Sequence, residues 1–335
     1  MAAFNVSLPK LQVSIEEAWN EAIQRGDYMA KTAALRGQLT RQTARVAPIR
    51  GTGANAKKLT TTIYWPEICT NTVSDCSDEC AVSSSEATDN QKDIALSLCK
   101  SVDFKESFKR FRVSPLDFEQ VIATQFLVKM KALDEALNTA YISFVEASKG
   151  THEYTAIPDG NVVSSDYEIP STSWNVDLIP HMMLSAEFSR FSNPFVLDGL
   201  NFWTQSVRAS ANQPNGEGKG DFNLFSEFPF VFDPINMNAT APDKTYLIDG
   251  AAIALVTGNF WDTTPISPVA SHRLWKQPSR NLPGVQYDVH EITTCTSDDF
   301  VVSYRISANY GFFLNPLGCE TGRKGVLAFE KVAGV

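Results

Sequence analysis

The chain has 335 residues, 43% of them hydrophobic, and a formal net charge of −9. This is enough for one large domain or two ordinary ones with a packed core, so the composition excludes a disordered chain. The negative charge argues against a surface that binds nucleic acid throughout. There is no apolar run of membrane-spanning length and no signal peptide at the N-terminus. We therefore expect a protein that is made and folded in a cytoplasm.

The N-terminal segment predicts two helices. Ser14 has the character of an N-cap, and Ile15, Trp19 and Ile23 form one apolar stripe at helical spacing. A second, short helix is predicted to follow and to end at Leu35.

A basic segment from Ala30 to Lys58 contains no Asp or Glu and is rich in Thr, Ala and Gly. Its composition predicts an extended arm with little core of its own. It is either a solvated linker or an arm held by acidic protein or nucleic acid, and the lack of acids favours the second interpretation. The candidate contact residues are its cations, Lys31, Arg36, Arg41, Arg45, Arg50, Lys57 and Lys58.

Two alternating segments predict a long β-hairpin, one at Lys58–Trp65 and the other between Ile94 and Phe104. The residues between them are acidic, with Lys92 as their only base. Because two strands alone are marginal in water, the hairpin must lean on a sheet of its own chain or on a neighbouring subunit. The opposite charges of arm and hairpin suit contacts between copies of the chain.

Four of the six cysteines lie in or beside this hairpin: Cys69, Cys76, Cys80 and Cys99. The Cys-x3-Cys spacing has no second pair and no nearby histidine, so we predict no metal site. Disulfides, within the tip or between subunits, and free thiols are equal alternatives.

A long amphipathic helix is predicted from Ser114 to Lys149. Ser114 is a natural N-cap, Pro115 suits the first helical position, and Gly150 follows as a stop. Apolar residues recur at helical spacing: Phe118, Ile122, Phe126, Met130, Leu133, Leu137, Tyr141 and Phe144. At 1.5 Å per residue this helix is about 50 Å long, so its stripe needs a long, narrow partner surface.

The second half of the chain predicts a mixture of a short helix, strands and loops. The helix is His181–Phe191, and the clearest strands are Phe228–Phe232, Tyr246–Thr257, Val301–Leu314 and Gly325–Val332. Pro265–Gly284 is predicted to be irregular because it is rich in proline and basic residues.

No set of residues predicts catalysis or cofactor binding. The four histidines, His152, His181, His272 and His290, are not at metal-ligand spacing, and no nucleotide-binding or nucleophile motif occurs. We therefore predict no enzyme activity, no cofactor and no metal. A hydrolase or redox enzyme that uses Cys76 or Cys80 is an alternative, but the sequence places no general base at a spacing that would indicate an activated cysteine.

The order of these elements resembles the major capsid protein of tailed bacteriophages, the Hong Kong phage-type fold. The resemblance rests on the basic arm, the protruding hairpin, the very long helix, an α+β region and two closing strands. It implies an α+β fold with an N-terminal arm (1–45), an E-loop hairpin (46–112), a peripheral domain with a spine helix (113–156, helix 114–149), an axial domain (157–291) and closing strands of the peripheral domain (292–335). Both closing strands would pair along the spine helix.

The resemblance implies a subunit that self-assembles, as hexamers and pentamers, into an icosahedral shell around phage DNA. It implies a virion location, assembly in the host cytoplasm, non-specific DNA contact on the inner face, no membrane, and portal, scaffold or decoration proteins as further partners. We expect no crosslink through Lys92 and no N-terminal proteolysis, and hence a separate scaffold protein. The alternatives are an encapsulin-type nanocompartment shell, which has the same fold, and a tail-tube protein.

Overall fold

The computed structural model describes residues 8–25, 31–41, 60–66, 89–96, 98–111, 118–175, 177–202, 229–258, 271–296, 299–314 and 324–333. The chain divides into two compact units. Unit 1 comprises Met1–Leu39, Ser97–Tyr141 and Thr257–Tyr310. Unit 2 comprises Thr40–Leu96, Ile142–Val256 and Gly311–Val335. None of the helices in the described segments is long and apolar enough to cross a membrane.

The described residues have an α+β content. Their helices are α1 (Leu8–Arg25), α2 (Ala33–Leu39), α3 (Phe108–Phe111), α4 (Phe118–Ala147), α5 (Leu178–Phe188) and α6 (Pro234–Thr240). Their strands are β1 (Thr60–Pro66), β2 (Asp89–Ala95), β3 (Leu98–Ser107), β4 (Asn161–Val163), β5 (Asp166–Pro170), β6 (Pro194–Asp198), β7 (Phe230–Phe232), β8 (Lys244–Asp249), β9 (Ile253–Gly258), β10 (His272–Pro278), β11 (Gln286–Thr296), β12 (Asp299–Leu314) and β13 (Val326–Val332).

The long predicted helix is confirmed as α4, which has 30 residues. The six residues of its stripe between Ile122 and Tyr141 are buried, and Phe118 and Phe144 are half-buried. The predicted cap at Ser114 lies outside the described residues. Burial along one face, repeated at every turn, is what makes so long a helix stable in a folded protein.

The partner of the α4 stripe in unit 1 is an antiparallel sheet with the strand order β10-β11-β12-β3. The Phe126 ring lies 5.2 Å from the Phe104 ring of β3 and 5.0 Å from the Tyr304 ring of β12. The predicted strand Val301–Leu314 is thereby confirmed as β12, which begins at Asp299. Strand β9 also pairs with β12, off this path.

A buried carboxylate of α4 fixes the connection between β10 and β11. Asp134 is fully buried and accepts hydrogen bonds from Ser279 Oγ (2.7 Å), from Asn281 Nδ2 (2.8 Å) and from the Tyr287 hydroxyl. Burial raises the pKa of Asp134, and the three donors offset only part of that effect. The helix therefore holds the sheet through polar contacts as well as through its apolar stripe.

Unit 2 contains a six-stranded mixed sheet with the order β4-β5-β13-β8-β6-β7. Strand β13 is parallel to β5 and antiparallel to β8, and Val326–Phe329 are all buried. Strand β13 and strand β12 belong to different sheets. That Gly325–Val332 lies along the long helix beside Val301–Leu314 stays a prediction. Four consecutive buried residues show that both faces of this strand are covered, while its two edges pair with β5 and β8.

The two units also divide the chain differently from the boundaries expected from the resemblance. Residues 257–291, expected in the axial domain, belong to unit 1 with most of α4. Residues 311–335, expected among the closing strands of the peripheral domain, belong to unit 2.

The first predicted helix exists, but it is longer than the sequence indicated. Helix α1 begins at Leu8, so Ser14 lies inside it and is not an N-cap. Leu11 and Ile15 are buried one turn apart, which places the apolar stripe one turn earlier than predicted.

The short second helix is confirmed as α2, but it extends beyond the predicted end at Leu35 to Leu39, into the basic arm, where an extended chain was predicted. Helix α2 buries Ala34 and Leu35 in unit 1. The Leu35 amide donates to Asn138 Oδ1 at 2.8 Å, and the Tyr141 hydroxyl donates to Gln38 Oε1 at 3.0 Å. Two apolar residues and two polar contacts with α4 are enough to order this turn, although the composition of the arm did not indicate them.

Two predictions for the second half of the chain were also wrong. Strand β10 lies inside the region predicted to be irregular. Among the described strands it is at the edge of its sheet, and it ends at Pro278, a position that suits proline. The predicted strand Tyr246–Thr257 is two strands, β8 and β9, because the chain turns at Gly250–Ala252.

Candidate functional site

The predicted hairpin is confirmed, with a shorter second strand than expected. Strands β1 and β2 are antiparallel, from Thr60 opposite Ala95 to Pro66 opposite Asp89. The sequence predicted one return strand as far as Phe104, but β3 is a separate strand that pairs with β12. Within the described segments, β1 and β2 form a sheet of their own. Because two strands are marginal alone, this hairpin needs a further surface.

Only one of the four candidate disulfide cysteines, Cys99, lies in the part of the chain that the structure describes. Cys99 is an exposed thiol on β3, and Cys295 on β11 is exposed as well. Cys69, Cys76 and Cys80 lie outside the described residues. Whether they form disulfides stays a prediction.

Three of the candidate arm cations lie in the described part of the chain. Arg36 is exposed on α2, and the Lys31 amide donates to Glu135 Oε1 at 3.3 Å. The Arg41 guanidinium lies over the Phe195 ring in unit 2, 5.0 Å from the centroid, which is the geometry of a cation–π contact. Arg45, Arg50, Lys57 and Lys58 lie outside the described residues.

Gly250 makes room for Arg41. A Cβ atom at this glycine would lie 2.8 Å from the Arg41 Cβ and 3.1 Å from the Asn193 carbonyl oxygen. We expect Gly250→Ala to displace Arg41 from Phe195 and to lower the free energy of unfolding by about 1–3 kcal/mol, the usual cost of overpacking. Urea denaturation measures the loss. The contact is with the Cβ atom of Arg41, which alanine would keep, so Arg41→Gly is the comparison: if Gly250→Ala acts through Arg41, its cost falls in the Arg41→Gly background.

Helix α5 of unit 2 exposes apolar side chains. Leu184 is 43% exposed and Phe188 is 55% exposed, and residues four apart share one face of a helix. The Tyr154 ring lies 5.3 Å from Phe188 and extends this face. A clustered apolar surface of this kind is typical of a contact with another protein.

An ion cluster stabilises unit 2. Its members are Glu146, Lys149, Asp166, Lys244 and Glu330. The Lys149 ammonium lies 2.7 Å from Glu146 and 2.8 Å from Asp166. The Lys244 ammonium lies 2.9 Å from each of the same two carboxylates.

Two carboxylates of this cluster, Glu146 and Asp166, are held in their charged form. Burial alone would raise the pKa of Glu146 and of Asp166, but hydrogen bonds from Lys149 and Lys244 outweigh it, and both values lie below the ordinary range. Burial and the hydrogen bond to Glu146 raise the pKa of Tyr246. The cluster joins β5, β8 and β13 to residues 146–149, so it serves the fold of unit 2.

The other buried acids also have structural partners. Asp198 accepts hydrogen bonds from Thr245 Oγ1 (2.6 Å) and from the Phe202 amide (3.0 Å), and burial raises its pKa. No group of three or more His, Cys, Asp or Glu side chains in the described residues could hold a metal ion. The sequence nevertheless missed one pair, since His272 and His290 meet on adjacent strands of unit 1 with ring nitrogens 3.0 Å apart.

Comparison with known proteins identifies the fold. No family model and no curated protein matches the chain. The solved structure "Cyanophage A-1(L) capsid asymmetric unit" matches 91% of this chain and 94% of its own, with a TM-score of 0.53 and 10% identity. The chain has a phage capsid fold. This confirms the fold class that the resemblance implied.

Two further solved structures are similar at lower scores. "Capsid of native GTA particle computed with C5 symmetry" matches 90% of this chain and 91% of its own, with a TM-score of 0.45 and 13% identity. A structure from Mycobacterium phage Che8 matches 82% and 85%, with a TM-score of 0.42 and 13% identity. Because both scores are below 0.5, the capsid fold is assigned from the cyanophage structure.

Proposed function

We propose that this chain is a structural subunit that self-assembles into the icosahedral shell enclosing phage DNA. The observation that carries the proposal is the similarity to a cyanophage capsid structure over 91% of this chain and 94% of that one. The structural similarity is not limited to one common motif, because the matched residues make up almost all of both chains. Shell subunits need large contacts between copies, of about 2,000 Å² or more, and a fold of this extent offers them.

The described surfaces suit such contacts. The two-stranded hairpin lacks a third strand within the described segments, so a neighbouring copy is its natural support. The apolar face of α5, with Leu184 and Phe188, is a second surface for contacts between copies. In the terms of the capsid fold, we assign the sheet and helix of unit 1 to the peripheral domain and the six-stranded sheet of unit 2 to the axial domain.

The role we propose is geometric and not catalytic. The buried acids Asp134 and Asp198 are satisfied by hydrogen bonds that hold the fold, and the ion cluster does the same in unit 2. The basic arm would contact either the acidic hairpin of another copy or the packaged DNA, non-specifically, on the inner face. Portal, scaffold and decoration proteins are the further partners that such a shell would have in the virion, after assembly in the host cytoplasm.

Shortening the hairpin tests the proposed contact between copies. Because Pro66 lies opposite Asp89, an Asn-Gly turn can replace residues 67–88 and close the hairpin as a two-residue loop. We expect this variant to fold but to form no shells, because the surface that overlaps a neighbour is removed. Sedimentation velocity measures assembly, and circular dichroism verifies the fold. Shells of normal size from the shortened chain would contradict the proposed role of the hairpin.

The contents of purified particles distinguish the two shell functions. A phage capsid produced during infection contains DNA that the shell protects from nuclease. An encapsulin-type compartment contains a protein cargo. We expect protected DNA, and particles filled with a single enzyme would overturn the phage assignment while leaving the shell function intact.

A further inference from the structure

Two histidines that are 18 residues apart in the chain face each other on the sheet of unit 1. The Nδ1 atom of His272 lies 3.0 Å from the Nε2 atom of His290, and the ring centroids are 5.2 Å apart. In the register of β10 and β11, His272 is opposite Ile292 and His290 is opposite Leu274. The two histidines are thus diagonal neighbours on one face of the sheet, since side chains two residues apart on a strand point to the same side.

This pair is accessible to solvent and lies beside a cavity. Both rings are half-buried. His290 contributes to the wall of a cavity of about 500 Å³, together with Ile292 on its own strand, Ser303 and Arg305 of β12, and Asp103 of β3. An ion from solution can therefore reach the facing nitrogens without any opening of the fold.

We propose that His272 and His290 bind a divalent transition-metal ion, with Nδ1 of His272 and Nε2 of His290 as the protein ligands and water in the remaining positions. Two nitrogens bound at about 2.1 Å and at a right angle to each other lie about 3.0 Å apart, whereas a tetrahedral angle separates them by about 3.4 Å. In the metal-free pair the 3.0 Å is a hydrogen-bond distance, so the rings must turn slightly to aim both lone pairs at one ion, and the separation then needed for the right-angled ligands of Ni²⁺ or Cu²⁺ is already close to that observed.

The charges around the pair permit a cation. Arg305 lies opposite His290 on β12, but Asp103 neutralises it through contacts of 2.8 Å and 3.0 Å. Lys105 is exposed at the rim of the same cavity. Arg273 and Glu291 form another ion pair on these two strands. Each is next in sequence to one of the two histidines, so their side chains point to the opposite face of the sheet. Lys276 on β10 and Asp288 on β11 lie opposite each other on the same face, next to His290. Among the described residues the site thus has two lysines nearby, and the carboxylates Asp103 and Asp288 offset the positive charge.

The protonation state also suits a metal. Burial, His272 and Arg305 lower the pKa of His290, so its imidazole is neutral at pH 7, the form that binds metal ions. In the metal-free pair, one nitrogen donates its hydrogen to the other. On binding, that hydrogen moves to the outer nitrogen of the same ring, so both facing nitrogens present lone pairs and no net proton is released. Binding is accordingly expected to weaken when the pH falls below the lowered pKa of His290.

The test uses the full chain without a histidine tag, stripped with EDTA and titrated with NiCl₂ by isothermal calorimetry. We expect one Ni²⁺ per chain in the wild type, loss of this binding in His272→Ala and in His290→Ala, and retention in His181→Ala. His181 is the matched control because its ring contacts Tyr154 in unit 2 and no other histidine. Uptake of Ni²⁺ by the two variants equal to that of the wild type would overturn the proposal.

A second measurement covers the case in which a variant fails to fold. Electron paramagnetic resonance of the wild-type chain with one equivalent of Cu²⁺ reports the number of coordinated imidazole nitrogens directly. Two nitrogens support the site, and none overturns it. Ni²⁺ is also expected to raise the melting temperature of the wild type, because a ligand that binds only the folded sheet stabilises it. The site does not depend on shell assembly, so these results and those on the hairpin are independent.

Discussion

Replacing Phe126 by alanine is expected to lower the free energy of unfolding by about 3–5 kcal/mol. Phe126 has no solvent exposure and occupies the middle of the α4 stripe. Its ring contacts Phe104 on β3 and Tyr304 on β12, and it lies 6.2 Å from the Trp275 ring on β10. Three strands of the unit 1 sheet therefore lose a common contact when this one ring is removed, and rigid neighbours cannot collapse into the space.

Val128→Ala on the same helix is the control for this prediction. Val128 is 52% exposed, so its truncation should change the free energy of unfolding by about 0.5 kcal/mol or less. Urea denaturation of the unassembled chain, followed by tryptophan fluorescence, measures both. Equal effects of the two substitutions would mean that the stripe of α4 does not hold the sheet.

Replacing Lys244 by alanine is expected to cost about 2–3 kcal/mol in unit 2. Its ammonium group contacts Glu146 and Asp166 at 2.9 Å and lies 3.5 Å from Glu330. Without it, Glu146 and Asp166 share only Lys149, and Glu330 loses its contact with Lys244. The cost is below that of breaking a fully buried pair because the Lys244 side chain keeps 17% exposure and water screens part of the repulsion.

The pH dependence of stability identifies the ion cluster as the cause. Because the pKa values of Glu146 and Asp166 are lowered in the folded chain, their stabilisation is present above the ordinary values of 4.5 and 3.8 and is lost as the pH falls through the folded values. Lys244→Ala removes hydrogen bonds that lower these pKa values, so we expect acid unfolding to begin at a higher pH. Lys10→Ala, at an exposed position of α1, should leave the acid transition unchanged; a shift of equal size there would point to net charge instead.

Local patterns in the sequence were enough to predict the elements that repeat a strong pattern. The α4 stripe from Phe118 to Phe144 could be predicted because apolar residues recur at every helical turn on its buried face. Strand β12 could be predicted because buried and more exposed residues alternate along much of its length. The first strand of the hairpin, β1, could be predicted from the same kind of alternation. Its length was overestimated because β2 and β3 share one alternating pattern, although they pair with different partners.

The partners of elements could not be predicted in the same way. Strand β13 has four consecutive buried residues, a pattern that fixes burial on both faces but does not say which strands flank it. The burial of Asp134 has no local signal in the sequence, and only the tertiary structure places Ser279, Asn281 and Tyr287 around it. Long-range contacts of this kind leave no trace in local spacing.

The histidine pair was missed for a related reason. His272 and His290 come together only through the register of β10 with β11. The sequence predicted no strand at β10 because proline and basic residues surround it. Without that strand, a separation of 18 residues does not indicate that the two histidines are neighbours. A hairpin prediction for residues 272–296 would have placed the two imidazoles on one face.

Electron microscopy of the purified full chain, without a tag and over a range of protein and salt concentrations, tests the shell function most directly. A capsid subunit is expected to form closed particles of uniform diameter, with fivefold and sixfold clusters on their surface. A chain that is folded by circular dichroism but remains monomeric under every condition, or that forms only open tubes, would contradict it.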